Sequence, residues 1–449
     1  MSESRVSLGF SKIFRNFSWL LAERVLVMVV ALTVGIYTVR YLGANNFGRL
    51  SYAYSFVIIF DGIAKLGLDA IVIRNLVKNI ELSSEILGTT FILKAMAIAA
   101  SMIISTGLFF SLNQNTDTQI IFLLVVLSLI FNVFDVIDFW FQAKVLSKAV
   151  VIVRFVQVIV SSFLKLVFIY FQFSVFAFAG LYCLEGIIKM LGLLFIYRKH
   201  HQYVIHWRFR LDTAQVLLRD AWPLILSGLM VVIYVRIDQV MLGMMTNETV
   251  VGIYAAAIRF SEVWYFIPVI ICSSVFPAIV KMKSQAQDFY LQRLQYLYDF
   301  LVWVSLLIAL GVSWVAYPSI NILLGKEYYD SALILIIHIW ALPFVFLGVG
   351  RSQWLVAENL THFSFLTSGL GALANIILNG LLIPTYQGRG AAIATVISYA
   401  IAGYFSCLVY QPTQAMFIML SKALLIPVRL RQNWLYICQV RSWLQSKMQ

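Results

Sequence analysis

Apolar blocks of about 20–28 residues recur along this 449-residue chain, each long enough to cross a bilayer as one helix. Between them lie only short polar breaks. Inside hydrocarbon every backbone amide and carbonyl must find its partner within its own segment, so such blocks fold as helices. Only 12% of the residues are charged and 61% are hydrophobic, whereas a soluble domain carries about 25% charged residues. The pattern excludes a large soluble core and implies an all-α polytopic membrane protein.

Twelve spans are read, near 17–40, 51–73, 86–112, 119–141, 150–172, 175–197, 220–243, 250–276, 298–324, 331–356, 362–384 and 390–410. Loop charge supports that count. With the N-terminus in the cytoplasm, about twenty Lys and Arg fall on inner segments and only Arg40, Arg49, Lys326 and Arg389 on outer ones. The net charge of +13 therefore reports topology, and no nucleic-acid partner is expected. Four organisational units follow: a six-helix lobe (1–200), a basic cytoplasmic linker (201–219), a second six-helix lobe (220–410) and a basic cytoplasmic interfacial tail (411–449). The apolar run at 415–427 is short, contains Lys422 and Pro427, and reads as a helix on the membrane surface, with a thirteenth span as the alternative. The polar start, "MSESRVSLGFSKIFRNFSW", leads into a full-length span and shows no signal-peptide pattern.

An internal echo points to two similar lobes. "YLGANNFGRLSYAYSF" (41–56) and "MLGMMTNETVVGIYAAAIRF" (241–260) both run from Leu-Gly through a short polar loop to a small or aromatic helix start. Six spans per half would place the copies in the same orientation, related by an axis along the membrane normal. All eight prolines follow residue 220. Pro268 and Pro343 fall within spans and read as kinks suited to gating, which suggests a stiffer N-terminal bundle.

Charges inside the spans are costly and mark function. Asp61, Lys65 and Asp69 are spaced by four and read as one stripe on a helix; Glu185 with Lys189, and Arg259 with Glu262, read as local ion pairs. Asp135 and Asp138 share a face, where solvation or a cation are both open. Arg24, Arg236 and Arg351 have no evident local partner, nor does Asp238. A guanidinium without a carboxylate suits phosphate. Cys183, Cys272, Cys407 and Cys438 show no metal or disulfide spacing. There is no phosphate-binding Gly-Lys loop, so no built-in ATPase and no cofactor are expected.

Several stretches carry a resemblance: "RYLGANNFGRLSYAYSFV", "LGLDAIVIR", "DFWFQA", "DQVMLG", "VGIYAAAIRFSEVWYFIP" and "NIILNGLLIPTYQGRGAAIAT". As an ordered set over nearly the whole chain they resemble Wzx-type polysaccharide flippases, of the multidrug/oligosaccharidyl-lipid/polysaccharide exporter superfamily. The resemblance implies two six-helix lobes around a central cleft, as in the MATE exporters. It implies transport of a polyprenyl-pyrophosphate-linked oligosaccharide, such as an O-antigen unit, across the bacterial cytoplasmic membrane. It also implies H+ or Na+ coupling and contact with other polysaccharide-assembly proteins and with lipid. By chemistry and location, Arg24, Arg236, Arg259 and Arg351 are then candidates to hold the pyrophosphate and sugar. Asp61, Lys65, Asp69, Asp238 and Glu262 are candidates for coupling or for lining the passage. Two rivals remain at this level: a drug/cation antiporter of the same fold, and a membrane polymerase or ligase, for which the outer loops are short.

Overall fold

The computed structural model describes residues 3–283 and 287–429, with side chains from residue 27 onward except those of 277, 278, 281, 282 and 361. The chain forms two compact units, Met1–Ile225 and Leu226–Gln449.

The first unit opens with α1 (Glu3–Ala64), which bends at Gly43 (φ 71, ψ 168), a conformation open to a residue without Cβ. The span expected at 51–73 is not one helix. It stops at Ala64, turns through Leu66 (φ 52) and Gly67 (φ 57), and restarts as α2 (Leu68–Lys78). Next come α3 (Ser83–Leu112) and α4 (Thr116–Leu127), whose first turn is capped by the Asn115 side chain accepting from Thr118 N at 3.3 Å. Eight residues of 3-10 helix, Ser128–Asp135, then join α4 to α5 (Val136–Ala143). Such runs rarely exceed about four residues, and long ones mark strained or functional places. The unit closes with α6 (Ser147–Tyr170) and α7 (Val175–Lys199). The absence of proline before residue 220 therefore does not leave α1 to α7 unbroken.

Small and flat side chains set the packing. Gly186 lets α7 approach the 3-10 segment: a Cβ there would lie 2.7 Å from the Phe131 ring. Phe109 stacks on Phe122 with centroids 4.1 Å apart. Leu68, Val72 and Leu76 of α2 bury against Val136, Ile137 and Phe141 of α5. The basic segment read as a linker is docked: Arg208 N donates to Ser84 O at 3.1 Å, and Arg210 N to Thr89 Oγ1 at 3.1 Å.

α8 (Leu211–Met245) leads into the second unit. α9 (Glu248–Glu262) is capped by Asn247, which accepts from Val250 N at 3.1 Å, so the second copy of the internal echo also falls at a helix break. A 3-10 turn precedes α10 (Phe266–Lys283); α11 (Gln287–Leu323) and α12 (Tyr329–His338) follow, and a further 3-10 turn precedes α13 (Leu342–Ala357). Pro268 and Pro343 thus sit in the first turns of α10 and α13. There a missing N–H leaves nothing unpaired, so each marks a helix restarting rather than a kink within one.

α14 (Thr361–Gly403) bends at Gln387 (φ 49, ψ −130), and α15 (Gln414–Leu424) is the last described α-helix. At 1.5 Å per residue α15 is about 16 Å long, half a hydrocarbon core. Met416, Leu420 and Ala423 bury it in the same core as α11 and α13, so it is packed into the unit and not merely a surface helix.

Among the described residues, nine stretches are long and apolar enough to cross a membrane, from Ile80–Leu112 to His362–Leu408. The last is 47 residues long and holds the span read at 362–384 and most of the one read at 390–410. α1, outside those nine, holds the span read at 17–40 and most of the one at 51–73 on either side of Gly43.

Candidate functional site

A polar cavity of about 260 Å³ lies within the first unit. Its wall carries Asp61, Lys65, Asn132, Gln157, Glu185 and Lys189, with Tyr54 and Tyr182 beside them. The two tyrosine rings stack at 4.9 Å.

The charges form a continuous file. Lys65 Nζ lies 3.0 Å from Asp61 Oδ2, and Asn132 Nδ2 donates to Asp61 Oδ1 at 3.0 Å. Lys189 Nζ donates to Asn132 Oδ1 at 2.9 Å and lies 2.9 Å from Asp135 Oδ1. The 3-10 segment explains how one lysine holds both. At three residues per turn, side chains three apart eclipse, so Asn132 and Asp135 stand in line. A second group adjoins the first: Glu185 pairs with Lys165 at 3.1 Å and accepts from Ser161.

These contacts correct the local pairings read from spacing. Glu185 and Lys189 take partners on neighbouring elements and not each other. An i,i+4 pair is worth only about 0.2–0.5 kcal/mol, whereas a charge left unpaired in a membrane interior costs far more. The Asp61–Lys65–Asp69 stripe is also broken. Asp61 and Lys65 pair, but the turn at 65–67 puts Asp69 on a separate helix, where it is exposed. Arg74 pairs with Asp220, and Asp138 with Arg154.

The second unit has its own buried polar groups. Asp238, 2% exposed, accepts from Tyr254 Oη and from Gln239 N; Tyr254 Oη lies 3.3 Å from Thr395 Oγ1. Asn379 Nδ2 donates to Asn375 Oδ1 at 2.9 Å. Glu262, read as a partner of Arg259, lies 3.2 Å from Arg236 of α8; Arg259 itself is exposed. The side chain of Arg24 lies outside the described ones.

Arg351 is 5% exposed, and its guanidinium is committed to neutral acceptors. It donates to Ala402 O at 2.6 Å, Ser406 Oγ at 2.8 Å and Thr367 Oγ1 at 3.2 Å, tying α13 to α14 and the turn after it. Ser406 and Thr367 also donate to backbone carbonyls of their own. Deleting the guanidinium therefore strands neither hydroxyl. Replacing a buried ion pair by apolar residues is often neutral because no charge is stranded, and here the partners are neutral groups that keep bonds of their own. Arg351→Met is expected to shift thermal stability by less than about 1 kcal/mol. A melting curve on the purified protein checks that, and transport by the variant then reports on function without a folding defect.

Comparison with known proteins places this geometry. Residues 13–283, more than half of the chain, match the family model described as polysaccharide biosynthesis protein. The chain belongs to the polysaccharide biosynthesis protein family. A match at 25% identity over 174 residues is to a Haloferax volcanii protein named "Probable low-salt glycan biosynthesis flippase Agl15". It covers 37% of this chain and 36% of that one, so the chain spans about a third of the relative's length.

Two of the solved structures that share the fold are a flippase and a transporter. One is a lipid II flippase MurJ in an inward closed conformation, with TM-score 0.73, 15% identity and coverage of 93% of this chain and 92% of that one. The other is an inward-facing MATE family multidrug transporter of the MOP superfamily, with TM-score 0.71, 14% identity and coverage of 88% and 96%. The cavity lies wholly within the part that matches the polysaccharide biosynthesis family.

Spacing did not single out Asn132, Gln157, Tyr54 or Tyr182. The signal available was a lone amide in each of two apolar runs, "SLIFNVFD" and "RFVQVIV". Among the described residues no group of three or more His, Cys, Asp or Glu is arranged to hold a metal.

Proposed function

We propose that this protein flips a polyprenyl-pyrophosphate-linked oligosaccharide from the inner to the outer leaflet of the bacterial cytoplasmic membrane. It does so by alternating access, with twelve crossings and both termini in the cytoplasm. The observation that carries the reading is a charge-paired, amide-bearing cavity inside a membrane unit of a polysaccharide biosynthesis protein. Sugars and a pyrophosphate cannot enter hydrocarbon, because each lost hydrogen bond and each desolvated charge is expensive. A polar wall within the bilayer removes that barrier while the lipid tail stays in the membrane. The names of the Haloferax volcanii relative and of the MurJ structure describe flippases of glycan or lipid-linked substrates, which favours the same class.

In this reading Arg24, Arg236 and Arg259 supply charge for the pyrophosphate, while Arg351 holds α13 to α14. Asp238 and Glu262 in the second unit, and Asp61 and Lys65 in the first, are the coupling and lining groups, and Asp69, outside the cavity wall, is a further candidate for coupling. Pro268 and Pro343 mark helix restarts about which segments tilt. An inside-negative potential drives an anion outward at about 2.3 kcal/mol per charge per 100 mV, so a doubly charged head gains about twice that.

The test is translocation of lipid-linked oligosaccharide in proteoliposomes, with potential and pH gradient imposed separately. Outward flipping should accelerate with an inside-negative potential; no response to either gradient removes the energetic account. A second reading, a drug/cation antiporter, draws support from the MATE structure matching nearly as well as MurJ. Gradient-driven efflux of cationic dyes without glycolipid flipping would decide for it.

A further inference from the structure

We infer that the first unit's cavity is a subsite for one uncharged sugar ring and not for the pyrophosphate. The inference rests on the flippase reading and deepens it.

Charge balance is the first observation. The wall carries Asp61 and Glu185 against Lys65 and Lys189. Each acid already touches a base, and Lys189 is further held by Asp135. A pyrophosphate approaching this wall meets cations whose fields are cancelled at 3 Å or so and carboxylates that repel it. A metal ion would have to strip lysines from their acids.

Hydrogen-bonding character is the second. The wall alternates donors and acceptors: ammonium, carboxylate and two amides. The Gln157 amide, half-buried, has no hydrogen-bond partner among the described residues. The Lys65 side chain is 51% exposed and spends one contact on Asp61, leaving N–H groups to donate. Sugar hydroxyls each donate and accept, so adjacent hydroxyls suit a wall of mixed sign.

Shape is the third. The stacked Tyr54 and Tyr182 rings give the wall an apolar flank where the C–H face of a sugar can pack. At about 260 Å³ the space falls below the 300–1,000 Å³ usual for drug-sized ligands. The enclosed part fits a single ring, and the cavity's open side leaves any further rings outside it. The subsite would thus read one residue of the glycan while the charged end is held elsewhere.

The test uses the full-length protein in lipid nanodiscs and saturation-transfer NMR. The probes are free neutral hexoses and N-acetylhexosamines, with inorganic pyrophosphate as competitor. At least one neutral sugar should show saturation that excess pyrophosphate does not displace. Gln157→Leu and Tyr182→Ala should each reduce it about fivefold, the worth of one lost contact, while Gln157→Asn, which keeps the amide, retains part of it. Unchanged elution on gel filtration certifies the fold of each variant. No saturation by any sugar of the panel, displacement by pyrophosphate, or indifference to both substitutions overturns the inference. Glycolipid flipping by the wild type is read separately. Sugar binding without flipping defeats the transport reading and leaves the subsite standing; flipping without sugar binding does the reverse.

Discussion

Replacing Lys189 by Met is expected to abolish glycolipid translocation and to lower the melting temperature by about 5–10 °C. Lys189 is the only cation that the described contacts give to Asp135, and it also fills Asn132 Oδ1. Its loss leaves the Asp135 carboxylate without an ion pair at contact distance and the Asn132 amide oxygen without a donor. Breaking a fully buried pair costs about 3–5 kcal/mol. Here the side chains are 19% and 31% exposed, so water offsets part of that and about 2–3 kcal/mol remains. The double variant Lys189→Met with Asp135→Asn removes both charges and should recover most of the stability. If translocation per folded molecule stays lost in the double variant, the charges serve transport. If it returns, the pair serves the fold alone. Flipping in proteoliposomes beside a thermal melt separates the two.

Hydropathy revealed the helices because lipid leaves the backbone no other choice. It revealed the charges inside them for the same reason, since each stands out against an apolar run. Their partners were hidden. Spacing along one helix pairs Glu185 with Lys189, but the partners chosen, Lys165 and Asp135, come from elements brought near by packing. The break at 65–67 was hidden too. Proline announces a break by its missing N–H, and this turn has none; it exists because Gly67 must come against the backbone at Leu224 and Ile225. The 3-10 register of 128–135 was unreadable in the same way, and with it the alignment of Asn132 with Asp135. Arg351 illustrates the opposite error. It looked unpaired because no acid lies nearby in sequence, yet its two terminal nitrogens donate to a carbonyl and two hydroxyls, and only Nε is left without an acceptor.

Gly67→Ala should be among the most damaging single-methyl changes in the first unit. Two costs add. Gly67 sits at φ +57, in the left-handed region, where an L side chain costs about 1–2 kcal/mol. Its neighbour Leu66 already stands there at φ 52, so the turn has no slack to shift the burden. The new Cβ would also lie 2.7 Å from Ile225 N and 2.8 Å from Leu224 C. These are backbone atoms and cannot rotate aside, so α8 and the turn must separate. Overpacking of this kind costs about 1–3 kcal/mol, giving a total of about 2–5 kcal/mol and a melting point lower by about 5–15 °C. Gly107→Ala is the matched control. It lies in α3, where a Cβ meets nothing within 4 Å, and within a helix alanine is favoured over glycine by about 1 kcal/mol. The same methyl group should therefore stabilise at 107 and destabilise at 67. Equal melting points for the two variants would mean that the turn between Asp61 and Asp69 does not depend on its contact with α8.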